Sequence, residues 1–232
     1  MLTVTNIDYD TVTWQHNVSA SLQGHMNPDK ITLIGGHYDC YTSNDPMTLA
    51  PGADDNASSV ADSIELARVI NNSGYAHNKT IRFLALGAEE LMYYSSMSGA
   101  RDYANKCAAM GEDIVMYINN DMIAHEPSAT DWIVDYLVHD AGFWGTALTV
   151  NLSGQYTSLS PNVQEQGNYG ADDLPFWQAG YQTGYFFEHN FCPYYHTEND
   201  IVDNCNIAYC TEVARLNMAL LLSVTEVPAP MA

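Results

Sequence analysis

The chain has 232 residues, 47% of them hydrophobic, with seven Lys and Arg against 28 Asp and Glu and a formal net charge of −21. That size and apolar content suit one sizeable core, while the acidity excludes nucleic acid and anionic membrane as partners, because both demand basic patches. No apolar stretch reaches the ~18 residues of a membrane span, and the opening MLTVTNIDYD lacks the basic and apolar regions of a signal peptide.

Residues 1–16 read as an N-terminal extension to a single domain spanning 1–232. NVSASLQG (17–24) alternates as a strand does, and ITLIGG (31–36) is a short apolar run closed by glycines. From Ala57 the period becomes helical, with Val60, Ile64 and Ala67 at i, i+4 and i+7, and Gly74 supplies the stop. IRFLALGA (81–88) is a buried strand, GARDYANKCAAMG (99–111) a helix ending on glycine, IVMYINN (114–120) a third apolar strand and WIVDYLV (132–138) a fourth. Residues 139–170, rich in Gly, Ser, Asn and Tyr, show no readable period. YQTGYFFE (181–188) is a further strand, IAYCTEVARLNMALLLSVTEV (207–227) a closing helix, and PAPMA (228–232) a tail. Strands alternating with helices predict an α/β fold: a single three-layer domain, a mostly parallel central sheet with helices on both faces. The five cysteines match no zinc spacing and read as structural thiols or one disulfide.

The polar residues fall where such a fold binds ligands. His37 and Asp39 follow the strand ending at Gly36; Glu89 and Glu90 follow the one ending at Ala88; Asp121 follows Asn120. Asp54 and Asp55, in PGADDNASSV, open the first helix with no Lys or Arg within ten positions. In open parallel sheets ligands sit outside the carboxyl ends of the strands, so these groups converge on one edge, and His196 in YYHTEND can join them. A solitary His or a Glu-Glu pair is ordinarily a solvated surface feature. Several uncompensated acids at strand ends are better explained by a dinuclear metal site with an N/O ligand set that zinc accepts.

GGHYD, PGADDNAS, LGAEE, NNDM and YYHTEND, in this order across about residues 17–225, resemble the co-catalytic zinc aminopeptidases of metallopeptidase family 28. The resemblance implies two Zn²⁺ ions bridged by Asp55 and a water, one held by His37 and Asp121 and the other by Glu90 and His196, with Asp54 beside the site. It implies Glu89 as general base, Asp39 as the group orienting the His37 imidazole, and Tyr169 as an oxyanion donor. Met122, Phe187, Phe191 and Tyr195 match or adjoin the positions lining the side-chain pocket, which implies a peptide substrate with a free N-terminus and a neutral hydrophobic first residue. A secreted, extracellular or periplasmic location is also implied. Relatives' disulfide positions correspond to Gly167 and Ala171, so that bond cannot form here, and about four extra residues follow Glu90. The same fold also hosts glutaminyl cyclases with one zinc and carboxypeptidases that need a basic clamp; a non-catalytic metal-binding module is the alternative from another class.

Overall fold

In the computed structural model, which describes residues 2–6, 11–90, 97–140 and 142–226, the chain opens with a hairpin. β1 (Leu2–Asn6) pairs antiparallel with β2 (Thr11–Gln15), outside the main sheet. The N-terminal extension thus carries a hairpin, and its Thr- and Val-rich runs are the β-branched type that favours strands.

The main sheet contains β3 (Val18–Leu22), β4 (Asn27–His37), β5 (Lys79–Leu86), β6 (Asp113–Asn120), β7 (Ile133–Val138), β8 (Ser160–Glu165) and β9 (Thr183–Glu188), in the order β3-β5-β4-β6-β9-β7-β8. The central β5-β4-β6-β9 pairings are parallel. β3 runs antiparallel to β5 at one side, and β7 antiparallel to β9 at the other, with β8 following β7. The sheet is thus mixed at both flanks. β7 follows β6 through a loop with no crossover helix, and a parallel return needs such a connection.

Helices α1 (Ser58–Ser73), α2 (Ser98–Met110), α3 (Trp144–Tyr156), α4 (Asp173–Gln178) and α5 (Ile207–Glu226) cover the sheet. α3 and β8 occupy the stretch whose sequence shows no period. α3 mixes Gly, Thr, Ser and Asn among its apolar residues, and β8 is a polar edge strand containing Pro161, a residue that edges tolerate. One core packs Leu66 and Ile70 of α1 and Tyr209, Val213, Leu216 and Leu220 of α5 against Ile34, Ile81, Phe83 and Ile118. The other packs Ala100, Ala104 and Cys107 of α2 and Phe176 of α4 against Leu33, Leu84, Leu86 and Tyr117. α5 is 20 residues long and apolar enough on average to cross a bilayer, but its Tyr209–Leu220 face is packed inside this core.

The strand ends that carry the polar groups come close because of glycine. A Cβ on Gly36 would lie 2.2 Å from the Asn120 carbonyl oxygen and 2.9 Å from Asn56 Nδ2. Any side chain there would push β4 from β6 and from the loop bearing Asp55. The four extra residues expected after Glu90 fall at 91–96, outside the described residues, as does the tail at 228–232.

Candidate metal centre and active site

His37 ends β4, and Asp121 lies one residue beyond β6. Asp55 sits in the irregular turn Ala53–Ala57 that opens α1, and Glu90 follows β5. His37 Nε2 lies 3.3 Å from Asp55 Oδ1 and 3.3 Å from Asp121 Oδ1. His196 Nε2 lies 3.3 Å from Asp55 Oδ2 and 2.9 Å from Glu90 Oε2. One carboxylate therefore faces two imidazoles with its two oxygens. The donor atoms of His37, Asp55 and Asp121 form one group within 4.8 Å of one another, and those of Asp55, Glu90 and His196 a second.

Surrounding groups hold these ligands in place. The Nδ1–H of His37 donates to the Asp39 carbonyl oxygen at 2.9 Å, which fixes the ring with Nε2 facing the acids. The expected role of the Asp39 side chain changes accordingly. Its carboxylate, 3.9 Å from that nitrogen, instead accepts the backbone N–H groups of Glu89 (3.2 Å) and Glu90 (3.1 Å). The reason is local: the loop past β5 presents two unpaired amides that a carboxylate satisfies better than one ring nitrogen does. Tyr195 stacks on the His196 ring with centroids 3.7 Å apart and orients it. Ala88, Met122 and His196, each a ligand or next to Glu89 or a ligand, have positive φ of 64°, 53° and 56°. Such non-glycine conformations cost of order 1 kcal/mol each and gather at functional sites.

Three supporting residues were not singled out from the sequence. Asp200 accepts the N–H groups of Asp54 (2.8 Å) and Asp55 (3.0 Å). Asn56 donates to the Asn120 carbonyl (3.0 Å) and accepts from the Met122 N–H (3.3 Å), joining the α1 turn to the end of β6. Glu188, fully buried at the end of β9, accepts from Cys192 N–H (2.6 Å) and His125 N–H (3.0 Å). Burial and the Asp54 carboxylate push Glu188 up to about 11, so it keeps its proton beside Asp54. Asp54 consequently stands beside the site, its Oδ1 taken by the Ala124 N–H at 2.8 Å. Glu188 could have been found by the strand-end rule that picked out Asp121, since it closes an apolar run. Asp200 and Asn56 work through backbone geometry, which carries no sequence signal.

The electrostatics are those of a crowded anionic cage. Burial pulls His37 down, but the Asp121, Asp55 and Glu89 carboxylates override it and hold the imidazole well above 6.5. His196 behaves alike, pulled down by burial and carried by Asp55 and Glu90 up to about 9. Burial raises Asp55, yet its hydrogen bonds to both imidazoles prevail and lower it. Glu90 is pushed by burial up to about 7, and burial lifts Glu89 well above the usual carboxyl range. Among the described residues, no Lys or Arg lines the cavity in front of these groups. Two nitrogen donors, carboxylates that share an edge and no basic side chain to neutralise them fit a pair of divalent ions of zinc type.

That cavity, of about 250 Å³, is lined by His37, Asp55, Glu89, Glu90 and Asp121 on its polar side and by Met122, Phe187, Phe191 and Tyr195 on its apolar side, with Ala171 and Tyr185 completing it. All four residues expected in a side-chain pocket are thus brought to it. Tyr169 is not among the lining residues: it lies on the loop after β8, 83% exposed. The loop after β8 places its ring in solvent, and its backbone N–H donates to the Gln166 carbonyl at 3.1 Å. All five cysteines are free thiols.

Curated proteins of known name resemble the chain. A "Probable zinc metalloprotease" of Pyrenophora teres f. teres is 37% identical over 147 residues, covering 62% of this chain and 30% of its own length. "Leucine aminopeptidase 1" of Fusarium vanettenii is 29% identical over 227 residues, covering 90% of this chain and 55% of its own. The chain thus spans about half or less of the length of these relatives. Among solved structures, the LapA aminopeptidase of Legionella pneumophila superposes with a TM-score of 0.78 at 20% identity, over 98% of this chain and 58% of that one. A glutaminyl cyclase of an Acidobacteriales bacterium superposes with a TM-score of 0.77 at 18% identity, over 97% and 78%. Both establish the fold alone. The family model for peptidase family M28 matches residues 17–221, a span that contains the main sheet and the five candidate ligands, and the chain belongs to that family.

Proposed function

We propose that this chain is a zinc-dependent aminopeptidase that removes neutral, hydrophobic residues from the free N-termini of peptides. The observation that carries this reading is Asp55, whose two oxygens face two different imidazoles inside adjoining donor sets. His37, Asp121 and Asp55 Oδ1 would hold one ion; His196, Glu90 and Asp55 Oδ2 the other. When bound, such a pair acidifies water and polarises a carbonyl oxygen.

The rest belongs to the chain. Glu89 lines the cavity beside both donor sets, and burial raises its affinity for a proton. It is suited to take a proton from the attacking water and return it to the leaving amine, which requires a carboxyl that both accepts and donates near working pH. The acid-rich wall attracts an α-ammonium group. The opposite wall of Met122, Phe187, Phe191 and Tyr195 offers no charge, so an acidic or basic side chain would be buried unpaired, at a cost of several kcal/mol. About 250 Å³ lies below the ~300 Å³ where ligand pockets usually begin, and suits one side chain rather than an extended peptide.

The cyclase fold-mate keeps a second reaction in view, but two adjoining donor sets support the two-ion peptidase over a one-zinc site. A carboxypeptidase lacks its basic clamp in this cavity, and a non-catalytic module has no use for Glu89. The test is a panel of aminoacyl anilides with and without chelator, alongside metal analysis. Two ions per chain are expected, with Leu, Met and Phe substrates within about two decades of each other in rate, acidic ones far below, and no cleavage of N-acetyl-Leu anilide. Equal rates on acetylated and free Leu substrates would refute the aminopeptidase, and cyclisation of N-terminal glutamine without peptide hydrolysis would select the cyclase.

A further inference from the structure

Joined to the cavity through Ala171 is a second cluster of titratable groups that the proposed reaction does not use. His139, the first residue past β7, and Asp173, the first of α4, form an ion pair of 2.9 Å between Nε2 and Oδ2, with side chains 1% and 0% exposed. The ring stacks on Trp177 of α4, with centroids 4.5 Å apart and planes at 16°. Each partner also grips the loop after β8. His139 Nδ1–H donates to the Gly167 carbonyl at 2.6 Å, and Asp173 Oδ1 accepts the Ala171 N–H at 2.9 Å. Gln166 adds a donor to Asp173 Oδ2 at 2.5 Å. The pair therefore clasps positions 167 and 171 of one loop, and Ala171 is itself part of the cavity wall.

Geometry sets the charge. Both ring nitrogens face acceptors, a carbonyl and a carboxylate, so both must carry protons. A neutral ring could take a hydrogen bond from Gln166 Nε2 at 3.2 Å, but it would then set an Nε2 lone pair against the Asp173 oxygen at 2.9 Å. The groups around the ring are few. α4 supplies Asp173 and Trp177, while Asp172, one residue earlier, interacts with His37 and Asp121 instead; the loop supplies Gln166 and Gly167; Asp140 turns away to the Gly142 N–H at 2.8 Å.

We propose that the His139–Asp173 ion pair is the positioning device for the Ala171 wall of the substrate cavity, holding that wall in place while His139 is protonated and releasing it on deprotonation. The inference rests on the aminopeptidase reading of the cavity. The sign follows from linkage. Burial lowers the affinity of His139 for a proton, but the hydrogen bonds to Asp173 and Gly167 outweigh it and raise the imidazole above 6.5. The clasp is complete below the unfolded value and is lost as pH rises through the higher folded one.

The test combines kinetics with hydrogen exchange on the zinc-loaded wild type, His139→Gln and Asp173→Asn. In the wild type, KM for a Leu anilide should be flat at low pH and rise roughly tenfold on the alkaline side, the order of one charge-assisted hydrogen bond. The rise should be absent from kcat. Both variants should show the raised KM at every pH, with kcat within about twofold of wild type. Amide exchange across 166–172 should be faster in both variants at neutral pH and should converge with the wild type at alkaline pH. A KM profile unchanged in His139→Gln, or undisturbed protection of the Ala171 amide in both variants, would overturn the proposal. So would a parallel fall of kcat and melting temperature with KM constant, the mark of a merely structural pair. If the wild type cleaves no anilide, the aminopeptidase reading fails, while exchange at Ala171 still decides whether the clasp exists.

Discussion

The neighbouring carboxyls Glu89 and Glu90 show how one residue step separates two roles. Glu90 Oε2 meets His196 Nε2 at 2.9 Å, whereas Glu89 faces the cavity with no such partner among the described residues. Glu89→Gln should cut turnover about 10²- to 10⁴-fold, the usual worth of a general base, with metal content unchanged. Glu90→Gln should instead lower the metal content of the purified protein, because one donor set loses a charged oxygen. Elemental analysis beside kcat distinguishes the two, and near-full turnover in Glu89→Gln would remove it from the proposed mechanism. The positions of these residues were legible in the sequence, because strand ends are marked by apolar runs and the acids follow them. The work of the Asp39 side chain was not, because which acceptor two backbone amides choose depends on how the 88–90 loop folds back on β4.

Helices and strands are held together by a buried polar tie as well as by apolar packing. Asp62 of α1 accepts from Asn217 of α5 at 2.8 Å and from Asn120 of β6 at 3.4 Å, and Asn217 also donates to Asn120 Oδ1 at 2.8 Å. Burial pushes Asp62 from 3.8 up to about 8, so the folded protein holds it neutral. A raised carboxyl stabilises the fold fully below the unfolded value, and that stability is lost as pH climbs through the folded one. Stability should therefore decline between 3.8 and about 8 through this residue. Asp62→Asn, a permanent mimic of the neutral acid, should flatten the decline by up to about 1.4 kcal/mol per pH unit. Denaturant melts across that range give the slope, and parallel slopes for the two proteins would rule Asp62 out. Elements with a clear apolar period, such as α1, α5 and the four central strands, were readable. α3 and β8 were not, because tertiary packing rather than local pattern decides the state of a mixed segment or an exposed edge.

For the whole molecule, with its net charge of −21, one edge of the sheet gathers four carboxyl groups, Asp55, Glu89, Glu90 and Asp121, around the imidazoles of His37 and His196, with no Lys or Arg among the described lining residues. Removing metal should leave that repulsion uncompensated. A ligand present at 100 times its Kd adds about 2.7 kcal/mol to stability, so chelator should lower the melting temperature by several degrees, and zinc should restore it. Raised salt should recover part of the loss by screening the exposed share of the charge. A melting temperature indifferent to chelator in metal-replete protein would argue against ions at this site.

The sequence by itself determined the family, the central parallel strands and the edge on which the acids gather, because apolar periodicity and the order of short polar motifs are local properties of the chain. Only the tertiary structure decided that Asp55 faces His37 and His196 with separate oxygens, that Glu188 keeps a proton beside Asp54, and that Tyr169 points to solvent while Ala171 lines the cavity. It also decided that His139 and Asp173, 34 residues apart, form a buried pair. Hydrogen-bond partners and burial depend on distances across the fold, and a linear order of residues holds no such distances.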